Sequence, residues 1–212
     1  MKRIKLVIFD LDGTLVDAYQ AIFKSFKFTM KKCAYPLKDN LTIRRAVGWG
    51  DGSLLSPFVK AQDLKHALSI YRKHHKKELL KSSRLFPGAE KVLRSLKAKG
   101  YKLAVASNRP TRFSLILIRH LGIASYFDYC LFADKLKHGK PHPEILNRIR
   151  KKFSLKPNQV VYVGDMAIDL QAGGRARIKT IAVSTGSSTP RELRKEKPYR
   201  IIRRIVDLLQ IL

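Results

Sequence analysis

Ile4-Lys5-Leu6-Val7-Ile8-Phe9-Asp10-Leu11-Asp12-Gly13-Thr14-Leu15 is the stretch from which the rest of the chain can be read. A short apolar run ends abruptly at an acid, two carboxylates stand one residue apart, and Gly-Thr follows. Such a run reads as a buried strand of a parallel sheet. Asp10 and Asp12 then fall at its carboxyl end, where open parallel sheets have their ligand crevice. Carboxylates this close repel unless one is protonated or a cation lies between them, which predicts Mg²⁺. A lone Asp-Gly can be a solvated turn, but the full Asp-x-Asp-Gly-Thr pattern is too specific for that reading.

Outward from this strand, the 212-residue chain is long enough for one sizeable domain, or for a core with a small second unit. Hydrophobic content of 45% with 9% aromatics excludes the disordered class. Cys33 and Cys130 fall in no metal or redox spacing, and two cysteines make no disulfide framework, so a reducing cytoplasm is expected. The opening Met1-Lys2-Arg3 precedes apolar residues, but Asp10 cuts that run short of a signal-peptide core. No apolar run approaches the roughly 20 residues needed to cross a bilayer, and no membrane partner is expected. The 44 Lys+Arg against 16 Asp+Glu give +28. That field attracts phosphates or nucleic acid, yet the cations are spread along the whole chain, so charge alone assigns no nucleic-acid surface.

Further buried strands are expected at Leu103 to Ala106, Phe127 to Phe132, Val160 to Val163, Thr180 to Val183 and Tyr199 to Ile202. Helical spacing separates them. Gly88 to Lys99 sets Ala89, Val92, Leu93 and Leu96 on one face, and Arg112 to Leu121, Pro143 to Phe153, Ile168 to Ala176 and Val206 to Leu212 repeat the pattern. The fold class is α/β, a Rossmann-like parallel sheet with helices on both faces. Residues 17–86 break the rhythm. Tyr19 to Cys33, Leu41 to Val47 and Asp63 to Leu80 are helix-like, with loops at Tyr35-Pro36 and Gly48 to Gly52. An all-helical insert is expected there, with 1–16 and 87–212 forming the α/β core.

Asp-x-Asp-Gly-Thr after a strand resembles the first motif of the haloacid dehalogenase-like hydrolase superfamily, and the other three motifs follow in order. Ser107 ends a core strand in Ala106-Ser107-Asn108; Lys140-Pro141-His142-Pro143 matches Lys-Pro-x-Pro; Gly164-Asp165-Met166-Ala167-Ile168-Asp169 matches Gly-Asp-x-x-x-Asp. Outside that context, Ser107 reads as a helix cap, and so does Asp169. The resemblance implies Asp10 as nucleophile, Asp12 as proton donor and acceptor, and Lys140, Ser107 and backbone amides near Asn108 as phosphoryl-binding groups. It implies Mg²⁺ held by Asp10, the backbone carbonyl of Asp12, and Asp165, with Asp169 in support. Dehalogenation is not expected, since true haloalkanoate dehalogenases lack an acid at the place of Asp12.

In one branch of the family a helical cap follows the first motif, as the insert at 17–86 does here. Asp10 to Asp17 and the Gly48 loop most resemble the phosphoglycolate phosphatases, although Ala18 departs from their frequent Ser. A small phosphorylated metabolite is therefore the expected substrate. Gly48 and Trp49 are the candidate specificity residues, Trp49 reading equally well as cap core. A sugar phosphomutase would keep the same acids. The alternative of another class is a basic nucleic-acid-associated protein, which has no recognition motif behind it. Oligomeric state stays open, and adjacent His74 and His75 point apart on a helix and so make a poor metal pair.

Overall fold

A computed structural model describes residues 4–212; residues 1–3, with which the expected core opens, lie outside the described residues. The chain begins with β1 (Leu6–Phe9) and a two-residue strand, β2 (Val16–Asp17). Four helices follow: α1 (Tyr19–Lys32), α2 (Asn40–Ala46), α3 (Asp51–Leu55) and α4 (Leu64–Ser82). The strand β3 (Arg84–Leu85) then returns antiparallel to β2. From there the alternation is regular: α5 (Ala89–Ala98), β4 (Lys102–Ser107), α6 (Thr111–His120), β5 (Tyr129–Phe132), α7 (Glu144–Lys152), β6 (Val160–Gly164), α8 (Ala167–Arg175), β7 (Lys179–Val183), α9 (Pro190–Lys195) and β8 (Arg200–Ile202).

Six strands form one parallel sheet in the order β5-β4-β1-β6-β7-β8. The residues of β1 alternate between its faces, as strand geometry requires. Val7 and Phe9 join the α5 and α6 side, with Val92, Leu93, Leu96 and Leu117. Leu6 and Ile8 join the α7 and α8 side, with Ile145, Leu146, Ile149 and Ala172. The expected α/β class with helices on both faces is borne out. The buried face of α5 is the four residues that the spacing named.

The helices between β2 and β3 have an apolar core of their own, in which Phe26, Met30, Ile43, Leu55 and Tyr71 are buried. Phe26 meets Phe58 edge-on at 5.2 Å; truncating so buried a ring costs about 3–5 kcal/mol. Three local expectations need correction, the first being that the 17–86 insert is all-helical, since its two ends lie in β2 and β3. The Gly48 to Gly52 stretch is not all loop, because α3 begins at Asp51 after Gly50 turns the chain at φ +92°. The closing helix is a 3-10 segment, Ile205–Gln210. Helix α9 escaped notice although Thr189-Pro190-Arg191-Glu192 is a legible start signal, with Pro at the first turn and a reciprocal Thr189–Glu192 capping box. Among the described residues, no helix is long and apolar enough to cross a membrane.

Candidate active site

The strand order places β1 between β4 and β6, so three motif residues meet at neighbouring strand ends. Asp10 follows β1, Ser107 ends β4 and Asp165 follows β6. The backbone N–H of Asp10 donates to Val163 at 2.9 Å, which locks the two acid-bearing ends together. After Asp10 the chain turns so tightly that the N–H groups of Thr14, Leu15 and Val16 all converge on the carbonyl of Leu11. Gly13 makes that turn at φ +82°, and a side chain there would strike the carboxylate of Asp165. Thr14 Oγ1 donates to Asp165 Oδ1 at 2.7 Å.

Asp10, Asp165 and Asp169 form a buried cluster with ligand atoms within 4.8 Å of one another. Lys140 enters it from the loop between β5 and α7. Its Nζ lies 2.9 Å from Asp10 and 2.6 Å from Asp169, and donates to the Tyr162 hydroxyl at 2.9 Å. Asn108 braces this loop: its side chain accepts from Lys140 N at 2.8 Å and donates to the carbonyls of Lys140 and Gly48, each at 3.0 Å. Asp169 has both oxygens engaged, Oδ1 by Lys140 and Tyr162, Oδ2 by the N–H groups of Asp165 and Met166. Both readings of Asp169 therefore describe it, because it caps the start of α8 and holds the site's lysine.

Burial pushes the Asp10 carboxyl up to about 6 against the pull of Lys140. Burial, then the charges of Asp169 and Asp10, raises Asp165 well above the usual carboxylate range. Burial pulls the Lys140 ammonium down, but Asp10 and Asp169 outweigh it and the net direction is up. Three buried carboxylates face one ammonium, an excess of two formal negative charges. Asp165 Oδ2 is buried without a hydrogen-bond partner. An all-oxygen donor set of this charge fits a hard divalent cation.

Asp12 lies apart from the cluster. Its carboxylate takes two hydrogen bonds from Arg109, each of 2.7 Å. Sequence reasoning missed Arg109, Tyr162 and Thr14. A cavity of about 60 Å³ joins Asp10, Asp12, Ser107 and Arg109 to Gly48, Tyr71 and His75 of the helical segment. Gly48 thus lies at the cavity, whereas Trp49 does not line it and is 48% exposed. Trp49 accordingly fits neither expectation, cap core or cavity contact: Gly48 and Gly50, at φ +110° and +92°, flank it with backbone turns that set it outside.

A sequence model described as Haloacid dehalogenase-like hydrolase matches residues 7–183. The chain belongs to that family. A phosphoglycolate phosphatase of Nitrosococcus oceani is 26% identical over 220 residues, spanning 100% of this chain and 98% of its own length. A protein of Dickeya dadantii named probable phosphatase IndB is 32% identical, over 93% of this chain and 88% of that one. The crystal structure of a predicted phosphoglycolate phosphatase from Haemophilus somnus 129PT superposes with a TM-score of 0.94 at 28% identity, covering 100% of this chain and 99% of that one. The family resemblance read from the four motifs is borne out, and with it phosphatase as the class of this haloacid dehalogenase-like enzyme.

Proposed function

We propose that this family member hydrolyses small phosphate monoesters, phosphoglycolate-like in size and charge, through an aspartyl-phosphate on Asp10 with Mg²⁺ as cofactor. The observation that carries the reading is the uncompensated charge of the Asp10, Asp165 and Asp169 cluster beside Lys140. Residues 1–16 and 87–212 act as catalytic core and 17–86 as the cap, whose Gly48 and neighbours meet the substrate's leaving group. The names of the Nitrosococcus and Haemophilus relatives support the substrate class, and so does the small cavity.

Asp10 attacks the phosphorus while the bond to the leaving oxygen breaks, dividing one hard displacement into two easier ones. Asp12 gives a proton to that oxygen. It then takes one from the water that attacks the aspartyl-phosphate, which frees Asp10 and inorganic phosphate. Lys140, the Ser107 hydroxyl and backbone amides near Gly13 and Asn108 hold the phosphoryl oxygens as charge shifts among them. Asp10, the backbone carbonyl of Asp12 and Asp165 would hold Mg²⁺, with Asp169 in support through Lys140. Bound there, the ion offsets the repulsion between carboxylate and phosphate.

Phosphate release from a panel of phosphorylated metabolites tests the reading. Wild type with Mg²⁺ is expected to turn over small monoesters, while Asp10→Asn and chelated wild type are inactive. Turnover surviving either change removes Asp10 or the metal from the mechanism. Isomer formation from a hexose phosphate in place of phosphate release would make the enzyme a mutase.

A further inference from the structure

Arg109 is the point at which the acid after β1 meets the helical cap. Two of its nitrogens, Nε and Nη2, donate to the two oxygens of Asp12, and Nη1 lies 2.9 Å from Nε2 of His75 on α4. A guanidinium has no acceptor. Nε2 of His75 must therefore accept, and the ring proton sits on Nδ1, which is 3.3 Å from Ser25 Oγ on α1. Tyr71 stacks on the imidazole at 4.8 Å and Phe113 meets it edge-on at 5.6 Å, so the ring has little freedom to turn. Burial first, and the Arg109 charge second, hold His75 well below the ordinary imidazole range, in the neutral form that accepts. Arg109 and His75 are 8% and 2% exposed. So costly a burial of a guanidinium is maintained only where its hydrogen bonds are made.

We propose that Arg109 and His75 position Asp12 for proton transfer, Arg109 by gripping both carboxylate oxygens and His75 by anchoring Arg109 to the cap helix α4. The inference rests on the phosphatase reading, in which Asp12 carries the proton. A bidentate fork fixes the rotation of the carboxylate as well as its place, which a lysine cannot do. Because the anchor lies on α4, the acid is set in its working orientation when that helix is docked on the core. Arg109 and His75 are positioning residues, and the proton moves through Asp12 alone.

Leaving-group dependence is the readout that a merely structural role would not move. An alkyl phosphate needs a proton on its departing oxygen, and p-nitrophenyl phosphate has little need of one. The kcat/KM of both substrates is to be measured for wild type, Asp10→Asn, Asp12→Asn, His75→Phe, His75→Gln and Arg109→Lys. His75→Phe is expected to lose about ten-fold or more on the alkyl ester, a share of the ~10²–10⁴ that positioned proton transfer supplies. On the aryl ester it should lose less than about two-fold. Arg109→Lys is expected to show the same selective loss and carries the test should His75→Phe fail to fold. Gln at position 75, whose amide oxygen can accept from Arg109, should restore most of the alkyl activity. Equal losses on both esters in the two variants would overturn the proposal and make Arg109 a structural or substrate-binding group. Turnover by Asp10→Asn would sink the phosphatase reading itself. With Asp10→Asn inactive and Asp12→Asn selectively impaired, a failure belongs to Arg109 and His75 alone.

Discussion

The carboxylate of Asp165 occupies the space that a side chain on Gly186 would need. Gly13 leaves room for the same carboxylate in the same way, so two glycines far apart in sequence meet one acid. The carbonyl of Gly186 is itself held by Arg44 of α2 at 2.9 Å. Gly186→Ala is expected to displace Asp165 and raise the Mg²⁺ concentration for half-maximal activity by about ten-fold or more, in the range seen when a metal ligand's support is lost. A Mg²⁺ titration of activity checks this, and an unchanged midpoint would mean that Asp165 is no ligand.

Lys140 is the only ammonium facing the three-carboxylate cluster among the described residues. Lys140→Met should abolish turnover, and in metal-free protein it should cost about 3–5 kcal/mol by leaving buried carboxylates unpaired. Saturating Mg²⁺ should recover part of that stability but none of the activity. Urea unfolding with and without Mg²⁺ separates the two effects.

Asp10 gives a pH dependence of definite sign. Its ordinary value is 3.8 and its folded value about 6, so between these the native state keeps a proton that the unfolded chain has released. The corresponding stabilisation is complete below about pH 3.8 and is lost as pH rises through about 6. Asparagine has no such proton. Metal-free Asp10→Asn is therefore expected to gain on wild type between about pH 4 and 7, by up to about 3 kcal/mol in urea unfolding. A difference that stays flat across this window contradicts it. Protons also compete with the cation, so wild type should need more Mg²⁺ for half-maximal rate as pH falls below about 6.

The loop between α2 and α3 offers a contrast between neighbours. Trp49→Ala should change kcat/KM for a small monoester by less than about two-fold, since the ring lies off the cavity. Gly48→Ala should be far worse. It strains a backbone at φ +110° and drives a methyl group into the side chain of Met166, in the loop that carries Asp165. Steady-state kinetics on the two variants checks the ranking.

The acids at the strand ends could be read directly because a buried parallel strand is a run of apolar residues, and a carboxylate ending such a run has few structural reasons to be there. Helices α5 to α8 were legible by the same logic, from apolar spacing between Gly and Pro. Tyr162 was hidden because Val160-Val161-Tyr162-Val163 reads as plain core; its hydroxyl matters only once β6 is laid beside the loop of Lys140. Arg109 was one cation among 44, and its partner Asp12 is 97 residues away. His75 sat in the run Arg72 to Lys77, whose composition suggests a solvated face. The helix turns that one residue of the run inward, against Tyr71, while His74 stacks on Phe28. Pairings of this kind belong to the tertiary fold and leave no local pattern.

The hydrogen bond from Thr14 to Asp165 spans 151 residues of chain. Asp10 has no buried carboxylate cluster around it until Asp165, Asp169 and the Gly186 loop have joined it. The entropy of closing so long a loop must be met before the contacts it brings together reward it. A chain that has not yet brought β6 beside β1 therefore leaves Asp10 in water, without the acids that cluster with it.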